Sequence, residues 1–173
     1  MPNTWFLFQH KGLFLGMQIT LIAIGKTDNP DLERLIAIYE KRLQHYIKFQ
    51  LQVIPDIKNS KNLSEAQQKE KEGEQILGQI QNSDVLVLLD EKGKQYTSVE
   101  FSQFLQKKMN SGIKNLVLVI GGPYGFSEAL YQRCNGKISL SKMTFSHQMV
   151  RLFFVEQLYR GFSILRNEPY HHQ

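Results

Sequence analysis

Apolar residues fall along this chain in two alternating textures. Short unbroken runs read as buried strands, and stretches with apolar positions three or four apart read as helices. The run MQITLIAIG (17–25) is rich in Ile and closed by glycine, which suits a strand buried on both faces. Asp28-Asn29-Pro30 then supplies cap residues and a proline for a helix start. DLERLIAIYEKRLQHY repeats apolar side chains at Leu32, Leu35, Ile36, Tyr39 and Leu43, the spacing of a helix. FQLQVIP (49–55) alternates as a strand does, and a polar loop leads to a charged helix from Ser64, with Gly73 and Gly78 as weak points. DVLVLLD (84–90) and NLVLVIGG (115–122) predict two more buried strands. Between them, Thr97 and Glu100 have the spacing of a capping box and open a helix through about Met109. Ser127 caps a short helix through Cys134, KISLS (137–141) is a short strand, and a long helix runs over 147–165.

This alternation predicts an α/β domain: a mostly parallel sheet flanked by helices. Ligands of such sheets bind at the carboxyl ends of the strands. The informative ends are LDEKGK (89–94), GGPYG (121–125) and SLSKMTFSH (139–147). Gly121 and Gly122 directly follow an apolar strand, where glycine lets a ligand approach the backbone; the alternative is a turn that merely needs glycine. The run lacks the Lys-Ser/Thr ending of a P-loop and the G-x-G-x-x-G of a dinucleotide fold. A ligand held by backbone amides and carbonyls is therefore preferred to a phosphate. In the last helix, Met149, Val150, Leu152, Phe153, Phe154, Val155, Leu158 and Phe162 cover most of the circumference. A helix apolar all round is buried on all sides, so one flank should meet the sheet and another a second subunit, unless the monomer buries it completely.

With 173 residues, 42% hydrophobic and 21% charged, the chain suits a single globular domain rather than a disordered one. A net charge of +5 and a pI near 9.3 point to an anionic partner. RNA fits better than a membrane, because no long apolar run or basic amphipathic anchor is present. The single cysteine, Cys134, excludes an internal disulfide, and no Cys/His cluster has zinc spacing, so no metal site is expected and a reducing, cytoplasmic compartment is. Residues 1–16, MPNTWFLFQHKGLFLG, are too short to span a bilayer and lack a signal-peptide cleavage pattern. They are expected to precede the folded domain, 17–173, although a greasy segment packing on the surface or on a partner is an alternative.

IAIGK, KEGEQIL, LDEKGKQYTS, IGGPYGF, SLSKMTFSH and VRLFFVEQLYRGFSILRNEPYHH follow one another in this order. From Met17 to the end the chain resembles the ribosomal RNA large subunit methyltransferase H family, small SPOUT methyltransferases that use S-adenosylmethionine. The resemblance implies a SPOUT-type fold with a C-terminal trefoil knot, and a homodimer packed through the knot region. It implies methylation of N3 of a pseudouridine in large-subunit (23S) rRNA, on assembled ribosomes. By position it implies cofactor contacts at Leu89, Gly121, Leu140, Ser141, Lys142, Met143, Thr144 and Phe145, which are the strand ends singled out above.

Two positions depart from the family pattern. Ser146 replaces the usual proline before His147, and serine is itself a good helix cap. His172 and Gln173 replace the last two residues of the usual Tyr-His-Arg-Glu ending. Tyr170 and His171 remain, and a Tyr with a His is what a site needs to move a proton near neutral pH. His171 is the candidate base and Tyr170 a residue to stack on or hydrogen-bond the target base. Arg160 and His147 are candidates to hold phosphate or orient the site. Against this stand a frayed, solvated tail and a catalytically silent RNA-binding module on the same scaffold.

Overall fold

A computed structural model describes residues 16–172. The expected N-terminal extension lies outside the described residues except for Gly16. The elements follow the predicted order: β1 (Gln18–Ile24), α1 (Pro30–Leu43), β2 (Lys48–Ile54), α2 (Glu65–Leu77), β3 (Val85–Gln95), α3 (Ser98–Asn110), β4 (Asn115–Ile120), α4 (Glu128–Arg133), β5 (Gly136–Ser139) and α5 (His147–Leu165), with a short 3-10 turn at Ser60–Asn62.

Polar residues start the helices as their positions suggest. Asn29 accepts from the Asp31 amide at 2.8 Å, Ser64 and Thr97 form reciprocal boxes with Gln67 and Glu100, and Ser146 accepts from the Met149 amide at 3.2 Å. The strands form one sheet in the order β2-β1-β4-β3-β5, every pairing parallel. Alternate strand residues face opposite sides. Leu21 and Leu118 look toward α1, α3 and α5, where they meet Leu43, Phe101, Leu105, Phe154 and Leu158. Ile22 and Val119 look toward α2 and α4, where they meet Ile76 and Leu130. Both faces are covered, which is why these strands are unbroken apolar runs.

One local feature differs from the sequence reading. β3 does not stop at Asp90 but continues to Gln95, pairing with β5 across an irregularity between Leu89 and Lys94. Gly93 makes this possible: a Cβ there would sit 2.5 Å from the backbone of Ile138. In α5 the apolar circumference is divided between two flanks. Phe154, Val155, Leu158 and Phe162 are wholly buried within this chain, whereas Phe153 is 38% exposed. The helix therefore sinks one flank completely into the monomer and leaves another open.

Candidate functional site

The carboxyl ends of β3, β4 and β5 surround a cavity of about 730 Å³. Of the candidate cofactor residues, Leu89, Gly121, Leu140, Ser141, Met143, Thr144 and Phe145 line it; Lys142 is exposed and does not. The segment from Leu140 to Ser146 forms one wall and is braced by its own hydrogen bonds. Ser139 Oγ donates to the Ser141 carbonyl at 2.9 Å, and the Met143 amide donates to Ser141 Oγ at 2.9 Å. Across the cavity, the Gly125 amide donates to the Gly122 carbonyl at 3.2 Å, closing the GGPYG turn. A Cβ on Gly121 would lie 3.2 Å from the Phe126 ring, so this glycine lets β4 end close against the turn.

His147, the first residue of α5, also lines the cavity. Its helix is tied to the end of β1 by groups that the charge pattern did not single out. Arg151 is fully buried and donates to the carbonyls of Ile24 at 2.6 Å and Gly25 at 2.8 Å. Gln148 Nε2 donates to the Lys26 carbonyl at 3.0 Å. Burial holds the Arg151 guanidinium below its ordinary range, with Asp56 and Asp28 acting in the opposite sense. At the cavity mouth the Tyr131 hydroxyl donates to Asp90 Oδ2 at 2.5 Å, and the Lys92 amide donates to Asp90 Oδ1 at 2.7 Å. Burial first, then the bond to Asp90, push the Tyr131 phenol above its usual value. Asp90 lies in the LDEKGK strand end that the sequence marked, without a role given to it; Tyr131 and Arg151 carried no signal in the sequence.

The C-terminal tail is ordered against its own chain. Tyr170 donates to Glu156 Oε1 at 2.9 Å, lies 3.3 Å from the Tyr39 hydroxyl and meets the Tyr159 ring edge-on at 4.7 Å between centroids. Arg160 stacks over the Tyr170 ring at 4.7 Å, binds Glu156 Oε1 at 2.5 Å and approaches His171 Nδ1 at 3.4 Å. Behind it Tyr46 donates to Glu168, and the Glu168 amide bonds the Ser163 carbonyl at 2.9 Å. A solvated, frayed tail is not what is seen. Burial, then the bonds to Tyr39 and Glu156, push the Tyr170 phenol up, so it stays a neutral donor.

The candidate polar residues therefore fall into two groups. His147 stands at the cavity; Arg160, Tyr170 and His171 stand together near the other end of α5. The groups are about 20 Å apart along the helix axis at 1.5 Å rise per residue. Met149, Phe153, Glu156 and Arg160 share the open flank between them, and Phe153 packs on Phe145 of the cavity wall at 5.1 Å. Among the described residues, no cluster of His, Cys, Asp and Glu is arranged to hold a metal, and no helix is long and apolar enough to cross a membrane.

Comparison with known proteins places these features in a family. The model described as "Predicted SPOUT methyltransferase" matches residues 17–171. Ribosomal RNA large subunit methyltransferase H of Flavobacterium johnsoniae is 71% identical over 157 residues, 91% of this chain and 100% of that protein. The proteins of that name from Christiangramia forsetii and Parabacteroides distasonis are 67% and 64% identical over the same shares. The SpoU methyltransferase AviRb of Streptomyces viridochromogenes, solved with AdoMet, covers 83% of this chain and 59% of its own at 12% identity and a TM-score of 0.40, too loose a likeness to bear on function. The parallel α/β sheet, the cavity behind its strand ends, the match over 17–171 and relatives at these identities agree: the chain belongs to the SPOUT methyltransferases, within the ribosomal RNA large subunit methyltransferase H family.

Proposed function

We propose that this chain transfers the methyl group of S-adenosylmethionine to N3 of a pseudouridine in large-subunit (23S) rRNA, acting on assembled ribosomes, as a cytoplasmic homodimer. The observation that carries the reading is the cavity. It lies at the strand ends of a chain whose relatives, matched over their whole length, bear the name of rRNA large subunit methyltransferases. Its residues suit the cofactor. Leu89, Leu140 and Phe145 give apolar walls, Gly121 and Ser141 give backbone groups, and nothing there forms a phosphate cradle, which S-adenosylmethionine does not need. Lys142, Met143 and Thr144 stand at the exposed rim of the same loop. The cofactor, when bound, supplies a methyl group on a sulfonium. The trefoil threading of this segment and the domain bounds 17–173 belong to the same proposal.

The chain's own task is to bring the target nitrogen to that methyl and take its proton. N3 of pseudouridine lies between two carbonyls and becomes a good nucleophile as it loses its proton. His171 is the base, a role that typically contributes ~10²–10⁴ in rate. Tyr170 holds the target base and Arg160 a phosphate, with His147 orienting the site from the cavity side. Since Tyr170 and His171 lie at the far end of α5 from their own cavity, the tail serves a second copy. Two α5 helices crossing antiparallel near Phe153 would set the Arg160 end of each opposite the His147 end of the other. This covers the half-exposed side chains of Phe145 and Phe153 and makes the dimer a condition of catalysis.

Mixing tests this. Gly121→Val keeps its tail but lacks a cofactor site; a chain without residues 169–173 keeps the site but lacks the tail. Each should be inactive alone. Co-refolded, they should recover roughly a quarter of wild-type methylation, because half the dimers are mixed and each has one complete site. No recovery would mean that the tail serves its own chain or neither.

A further inference from the structure

Glu72 lies on α2, a helix of charged residues whose pattern gives no reason for this one to be inside. It is nevertheless 3% exposed, the most deeply buried carboxylate among the described residues. Oε1 accepts from Gln68 Nε2 at 2.9 Å, and Oε2 has no partner. The carboxyl lies against the turn that follows β4: a Cβ built on Gly122 would stand 2.3 Å from Oε2 and 2.9 Å from Oε1. Gly122 and its neighbour Gly121 both line the cavity, whereas Glu72 stands behind them.

A dry carboxyl with an unpaired oxygen is a costly filler where leucine or methionine would pack without that penalty. What the carboxyl offers is a thin planar surface that fits against a backbone without a Cβ. We propose that Glu72 is a positioning residue for the cofactor loop: its carboxyl is the spacer that seats Gly122 and so holds the Gly121 end of β4 at the cavity floor. The inference rests on reading this cavity as the S-adenosylmethionine site. It gives the two glycines different reasons. Gly121 faces the ligand and the turn; Gly122 is glycine because Glu72 fills the space of its side chain. The charge is not what the position needs. Burial pushes the Glu72 carboxyl above the usual range; the Gln68 bond lowers it, Asp56 raises it further and His147 lowers it. The spacer acts best in its neutral form.

The test is cofactor affinity measured by calorimetry on the full chain, at a temperature well below the unfolding midpoint of each variant. Glu72→Gln, neutral and of the same shape, should bind S-adenosylmethionine within about threefold of wild type, and Glu72→Ala about tenfold more weakly. Gly122→Ala should bind poorly in the wild-type background, and its effect should shrink by about tenfold once Glu72→Ala makes room for the new methyl. At saturating cofactor the turnover of the folded Glu72 variants should stay within about threefold of wild type, so that the loss is in affinity. Should Glu72→Ala not fold, Glu72→Ser takes its place. The proposal is overturned if Glu72→Ala binds like wild type, if Glu72→Gln loses as much as Glu72→Ala, or if the effects at 72 and 122 simply add. A wild type that bound no cofactor would overturn the cavity reading itself. That outcome is separable, because the thermal-unfolding cycle between Glu72 and Gly122 reports their contact without any ligand.

Discussion

Replacing Tyr170 by Phe removes one hydroxyl and leaves the ring where it is. The hydroxyl donates to the Glu156 carboxylate at 2.9 Å and meets Tyr39 at 3.3 Å. A hydrogen bond to a charged group is worth about 1.5–3 kcal/mol, and the half-buried position reduces it toward the lower figure. The longer contact adds little. The Glu156–Arg160 pair persists, as do the edge-on packing on Tyr159 and the stacking of Arg160, so a loss of about 1–2 kcal/mol falls on the order of the tail alone. That energy corresponds to a factor of about 5–30 in the equilibrium constant between ordered and disordered tail. Methyl transfer at saturating cofactor should fall measurably, by at most about that factor, because the rate follows the ordered fraction. The midpoint of thermal unfolding should barely move, and cofactor affinity should be unchanged, since Tyr170 does not line the cavity. Deleting residues 169–173 removes the base as well and should slow transfer by at least ~10². Single-turnover methylation with calorimetry on the same samples separates these effects. Wild-type rates for both variants, or a large change in cofactor affinity, would refute the role given to the tail.

Three further outcomes follow from the geometry. Phe153→Asp should leave a folded monomer of about half the wild-type mass by light scattering, whereas Phe154→Asp puts a charge into a fully buried site and should prevent folding; a dimeric Phe153→Asp would remove the open flank of α5 from the interface. Gly121→Val should abolish cofactor binding measured by calorimetry, because the branched side chain enters the cavity and presses on Phe126; unchanged affinity would leave the glycine a turn residue only. Burial raises the Glu72 pKa above 4.5, so the folded state binds that proton more tightly than the unfolded one. Its contribution to stability is complete below 4.5 and is lost as pH rises through the folded value. Glu72→Gln should therefore match wild type in unfolding midpoint at low pH and exceed it increasingly toward neutral pH; a constant difference would contradict the raised pKa.

The strands were legible because both sheet faces are covered, which leaves apolar runs such as LIAI and LVLVI without ambiguity. Caps at Asn29, Ser64, Thr97, Ser127 and Ser146 fixed the helix starts through local chemistry alone. The far part of β3 was not legible: Asp90 to Gln95 are polar, and what makes them a strand is the approach of β5 over Gly93. An apolar pattern on every side of α5 told that the helix is buried but not which flank lies outward, and only packing separates Phe153 from Phe154. The burial of Glu72 and Arg151 was hidden for the opposite reason. Charged residues read as surface, and these two are drawn in by contacts with strand ends distant in sequence. The candidate residues of the cavity were found through the family resemblance at positions that strand-end reasoning also reached. The separation of the tail from that cavity is set by its contacts with Tyr39, Glu156 and Tyr159, which no sequence pattern announces.

The most direct test is methyl transfer itself. Large ribosomal subunits from cells lacking the modification are incubated with the purified chain and labelled S-adenosylmethionine, and the label is mapped by mass spectrometry of nuclease fragments. The account predicts a methyl group on N3 of a pseudouridine in 23S rRNA, dependent on Tyr170 and His171. Label absent from the large-subunit RNA, or present on another atom, would contradict it.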